Sequence, residues 1–137
     1  MNQPNTDQPT GGLLYRRLVS ALIFSLHGLK RAMQEEACQV QAMLLIILVP
    51  LGLWLGNGPV EKLLLIVPLL MVFVIELLNT AVEVTINRIS TDRHQLSKEA
   101  KDLGSAAVFV AMLIAVLCWL FISVSYTHLT LPTTPYV

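Results

Sequence analysis

Long apolar runs alternate with short polar breaks along this chain, and the breaks divide it into four helical segments. Between Leu13 and Gln34 the positions sort at ~100° per residue. Leu18, Val19, Leu22, Ile23, Leu26, Leu29 and Met33 fall on one side, with Arg16, Ser20, His27, Lys30, Arg31 and Gln34 on the other. A helix with a basic stripe opposite a broad apolar stripe lies along a membrane interface, its cations near anionic headgroups. Residues 37–55, 63–86 and 103–124 each approach the ~20 apolar residues that cross ~30 Å of hydrocarbon. Pro50 is placed to kink the first of these spans, and "GNGP" at residues 56–59 signals a turn between antiparallel spans.

The pattern therefore predicts an all-α integral membrane fold, with an N-terminal amphipathic interfacial helix and three transmembrane helices making one domain over residues 13–124. Residues 1–12 are polar, lack an apolar period and read as a disordered lead-in. Residues 125–137, "SYTHLTLPTTPYV", hold two prolines and four threonines without a helical period. They resemble a translated sequencing adapter and are expected to be a non-native tail.

Composition sharpens this picture. At 55% hydrophobic and 13% charged over 137 residues, the chain has more apolar surface than a soluble domain of this size can hide. The net charge is zero, so the total says nothing about acidic or nucleic-acid partners; with a membrane-embedded chain, no nucleic-acid partner is expected. Eight of the nine basic residues lie on one side of the predicted spans, and Lys62 alone lies on the other. Positive charge stays inside, so a multi-pass topology is expected with the N-terminus and the loop after the second span in the cytoplasm. Cys38 and Cys118 fall in opposite halves of the bilayer, too far apart to bridge.

"VIELLNTAVEVTINR" interrupts the second span with Glu76, Asn79 and Glu83. Spaced three and four apart, they share one stripe within about 60° of helical arc. An acidic side chain in the bilayer costs ~2.5–3.5 kcal/mol, so two on one stripe need a compensating partner such as a metal ion or a lysine. Asn79 and Thr80 are also suited to bonding between helices. Lys98, Lys101, Asp102 and Ser105 make a second stripe at the start of the third span, and Glu36 opens the first. Carboxylates for a divalent cation, cations for phosphate oxygens and a carboxylate free to take a proton are the parts of phosphoryl transfer. No Walker-type phosphate loop or soluble protein-kinase signature is present in the sequence. Three spans can hardly enclose a site, which leads to the expectation of a homo-oligomer with sites between subunits.

At "EEACQ", "IELLNTAVEVTINR" and "HQLSKEAKDLGSAAV" the chain resembles the prokaryotic diacylglycerol kinase family, over roughly residues 13–124. The resemblance implies a homotrimer that moves the γ-phosphoryl of MgATP to the primary hydroxyl of diacylglycerol, giving phosphatidic acid. It implies Glu76 as general base and Asn79 beside it, Glu36 and Glu83 as carboxylates holding Mg²⁺, and Arg17 and Lys101 as phosphate-binding cations. It also implies nucleotide contacts at Phe24, Asp92, Arg93, His94 and Asp102, and lipid contacts at Arg17, Glu76, Ser105 and Trp119. Three positions depart from the pattern of a well-studied member: Ser20 stands for a lysine, Phe24 for a tyrosine bordering the nucleotide and Asn87 for an aspartate before Arg88. Undecaprenol kinase is a sister activity on the same scaffold. A non-enzymatic scaffold or proton conductor would leave the lysines and the basic helix without a purpose.

Overall fold

The structure, a computed structural model, describes residues 10–89 and 94–129, with side chains from 12 to 89 and from 94 to 124. It consists of four helices: α1 (Thr10–Ala32), α2 (Glu36–Leu55), α3 (Pro59–Ile89) and α4 (Gln95–Leu129). No strand occurs among the described residues. The fold is the all-α membrane architecture that the apolar pattern predicts, and α2, α3 and most of α4 are long and apolar enough to cross a bilayer.

Helix boundaries differ from the pattern in three places. α3 has 31 residues, or ~46 Å at ~1.5 Å per residue, so it outreaches ~30 Å of hydrocarbon. α4 continues to Leu129, five residues beyond the predicted third span. Extending an existing helix costs little compared with nucleating one, so a run without apolar period can still continue it. α1 begins at Thr10, within the stretch read as lead-in.

The tightest seam is between α3 and α4, followed by that between α2 and α3, whereas α1 touches the other helices only lightly. Small side chains make the α3–α4 seam possible. Ala111 and Ala115 on α4 are buried against Val72 of α3, with Leu69 and Ile75 packed around them. Without a water-driven force between helices in lipid, such close approach gains dispersion contacts instead. Near the far end, Trp119 donates its indole N–H to the Leu65 carbonyl at 3.0 Å. A Cβ at Gly52 of α2 would meet that indole at 3.5 Å and Leu65 Cβ at 3.2 Å, so three helices converge there. Pro68 lies inside α3 and Pro50 inside α2; each removes one backbone donor, a loss that neighbouring helices tolerate in membranes.

The predicted turn is present between α2 and α3. Gly56 is needed there for space: its φ is −68°, but a Cβ would fall 2.7 Å from Lys62 Cγ. Glu61 Oε2 accepts the Asn57 backbone N–H at 2.9 Å and holds the turn against α3. Most large apolar side chains face outward, among them Leu78, Leu103 and Phe109 at 62–72% exposure. That inversion is normal for a chain whose solvent is lipid.

Candidate functional site

Helices α2, α3 and α4 together line a cleft of about 750 Å³. Its walls carry Glu35 and Glu36 from the start of α2, Glu76, Asn79, Thr80 and Glu83 from α3, and Ser105 from α4. Val40, Gln41, Val108 and Met112 line it as well. The three- and four-residue spacing on α3 is what turns its polar side chains to one side. The three carboxylates singled out by the sequence thus share one cavity. They occupy different depths: Glu83 is seven residues along α3 from Glu76, a rise of roughly 10 Å.

Glu76 is 5% exposed, the buried charged residue among the described residues. It makes no hydrogen bond or ion pair there, yet it lines the cleft. A buried acid left unpaired is expensive, and a ligand entering the cleft is where its partner would come from. The adjacent glutamates at the N-cap and first residue of α2 behave differently. Glu35 Oε1 is bridged to Arg31 at 2.8 Å, so the cation at the end of α1 holds it. Glu36 has no such partner among the described residues and remains free to face an incoming charge.

Around the cleft, α2 is fixed to α3 by a contact of 3.4 Å between Cys38 Sγ and Thr80 Oγ1. Cys38 is fully buried. Gln41 turns its amide toward Met112 Sδ at 3.9 Å, a weak acceptor for a strong donor. Glu35, Cys38 and Gln41 were not among the site residues expected from the sequence. The signal for Glu35 was its adjacency to Glu36, and for Gln41 a lone amide entering an apolar span.

Several expected site residues lie elsewhere within the single chain. Arg17 and Phe24 line a shallow groove of about 320 Å³ on α1, together with Arg16 and Ser20. Lys101 donates from Nζ to Asn87 Oδ1 at 2.9 Å, bridging α4 to the end of α3. Asp102 is exposed nearby. His94 accepts the Leu96 backbone N–H through Nδ1 at 3.2 Å and so caps α4. Trp119 is committed to Leu65, away from the cleft. Asp92 and Arg93 fall outside the described residues.

For a divalent cation the donor set is informative. No group of three or more His, Cys, Asp or Glu side chains converges closely enough for a metal cage among the described residues. Mg²⁺ does not require one, because it is commonly held by one or two carboxylates plus phosphate oxygens and water. Glu36 and Glu83, both free and on facing helices of one cleft, fit a metal that arrives with phosphates and do not fit a resident structural ion.

Comparison with known proteins converges on one family. The profile described as prokaryotic diacylglycerol kinase matches residues 23–123. A Haemophilus influenzae protein named diacylglycerol kinase is 44% identical over 111 residues, covering 80% of this chain and 92% of that protein. Pseudomonas aeruginosa and Escherichia coli K12 proteins of the same name are 41% and 35% identical. They align with 76% and 77% of this chain, and with 85% and 87% of their own lengths.

Proposed function

The chain belongs to the prokaryotic diacylglycerol kinase family, and from that premise we propose that it transfers the γ-phosphoryl of MgATP to the primary hydroxyl of diacylglycerol, at the cytoplasmic face of a bacterial inner membrane. The observation that carries this reading is the single cleft that holds a buried, unpaired Glu76 below the free carboxylates Glu36 and Glu83. That layering suits two substrates arriving from opposite directions: a lipid hydroxyl from the bilayer, and a nucleotide from the aqueous end.

Glu76 accepts the hydroxyl proton as the oxygen attacks phosphorus. The new bond joins lipid oxygen to the γ-phosphorus, the bond from that phosphorus to the β,γ-bridging oxygen breaks, and ADP leaves with the electron pair. Glu36 and Glu83 are the residues that would hold Mg²⁺, which would supply neutralisation of charge on the nucleotide phosphates. Ser105, on the α4 wall of the cleft, is positioned to bond the glycerol headgroup. The near-complete burial of Glu76 limits the water that can compete with the lipid hydroxyl for it.

Arg17, Phe24, His94, Lys101 and Asp102 are not part of this cleft within one chain. In the proposed homotrimer they serve a neighbouring subunit's nucleotide, and the outward-facing apolar surfaces of α2–α4 supply the contacts between subunits. The reading is tested with purified protein in mixed micelles, offered diacylglycerol or undecaprenol with Mg²⁺ and radiolabelled ATP. Label in phosphatidic acid, at a rate well above that into undecaprenyl phosphate, is the expected result. Preferential labelling of undecaprenol would transfer the assignment to the sister activity, and no lipid label with either would refute the kinase reading.

A further inference from the structure

Among the described residues, the Asn79 side-chain oxygen is the buried side-chain polar atom without a hydrogen-bond partner. It lies against Gly104 of α4, where an added Cβ would collide with Asn79 Oδ1 and stand 3.3 Å from Asn79 Cγ. The two observations are one arrangement: the carboxamide oxygen is lodged in the α3–α4 seam, in space that exists because residue 104 has no side chain. A glycine Cα–H is a weak donor and can face an oxygen, whereas it offers an amide N–H no lone pair to bond. The amide nitrogen is therefore the end that faces the cleft, which Asn79 lines.

We propose that Gly104 is a positioning residue that fixes Asn79 as a hydrogen-bond donor directed into the cleft. Asn79 stands three residues from Glu76 and four from Glu83, so its amide is a donor between two groups that, when ionised, only accept. The ligand this serves is an anionic oxygen, such as a phosphoryl oxygen travelling between the nucleotide and the lipid. An Asn79 turned the other way would offer a second acceptor among acids and repel that oxygen. The role as phosphoryl donor rests on the kinase reading; the lodging of the amide does not.

Gly104→Ala is the perturbation, made in the full-length chain with Asn79 present and again with Asn79→Ala. Thermal unfolding in detergent reads the lodging directly. With Asn79 present, Gly104→Ala is expected to lower Tm by about 5 °C or more. With Asn79→Ala, whose Cβ would stand 3.9 Å from the new methyl, it should lower Tm by less than about 1 °C. Equal losses in both backgrounds would overturn the proposal and leave Gly104 as ordinary helix packing. With Asn79 present, Gly104→Ala is further expected to cut kcat by about tenfold or more, while the KM for ATP changes less than about threefold. An unchanged kcat would overturn the donor role. Absence of lipid phosphorylation by the unmodified chain would instead refute the kinase reading alone, because the Tm comparison does not depend on it.

Discussion

Replacing Glu76 by Gln separates cost from use at the centre of the cleft. The two side chains are nearly the same size, so packing around a residue that is 5% exposed is conserved. What is lost is a negative charge and the capacity to take a proton. An acidic side chain at membrane depth costs ~2.5–3.5 kcal/mol. The cleft gives Glu76 some access to water and glutamine is itself polar, so roughly 1–2 kcal/mol should be recovered, about half the full penalty. For a chain of this length that is a rise in Tm of about 2–8 °C. Loss of a general base, in contrast, lowers turnover by ~10²- to 10⁴-fold, equivalent to ~2.7–5.4 kcal/mol in the barrier. The variant should therefore be more stable and nearly inactive. Thermal unfolding in detergent and labelled phosphatidic acid formation, measured on the same preparation, check both signs. Turnover within about threefold of wild type would show that Glu76 is not the base. A fall in Tm would show that its charge already has a partner in the assembled protein and that the argument from an unpaired buried acid fails.

Two further outcomes follow from the observed contacts. Because Arg31 occupies Glu35 while Glu36 is free, Glu35→Gln should leave the lipid-labelling rate within about twofold, and Glu36→Gln should reduce it by about a hundredfold; equal effects would remove the distinction between the neighbours. Trp119→Phe breaks the indole bond to Leu65 and should cost about 1 kcal/mol, read as a Tm lower by about 2–5 °C. A large rise in the KM for diacylglycerol without that Tm shift would instead place Trp119 at the lipid, as the family resemblance implies.

The helices were legible because period and length are local properties. The stripe on α1, the "GNGP" turn and three apolar runs needed no knowledge of the rest of the chain. Co-location of Glu76, Asn79 and Glu83 was legible for the same reason, since one helix fixes their common face. Glu36 required a step across helices, and it succeeded because both groups lie near span ends, where depth can be counted. Contacts set by interhelical register were not legible: that Trp119 would meet Leu65, that Cys38 would meet Thr80, or that Gly104 would oppose Asn79. A shift of one residue between α3 and α4 would change each α3–α4 partner while leaving every sequence pattern intact. Where His94 and Lys101 would point was hidden too, because a cap depends on local backbone geometry and a long side chain's partner on interhelical register.

Asn87 shows how such a contact changes the meaning of a departure. Set against the family pattern, an amide in place of an aspartate looks like the loss of a charge from the nucleotide region. In the structure Asn87 Oδ1 accepts from Lys101 Nζ at 2.9 Å. A carboxylate at that position would hold the lysine and also cancel much of its charge; the amide holds it and leaves the charge undiminished. A cation meant for phosphate loses attraction when paired but loses position when free. On the proposed reading, in which Lys101 binds phosphate, the neutral acceptor supplies orientation without competing for the lysine's charge.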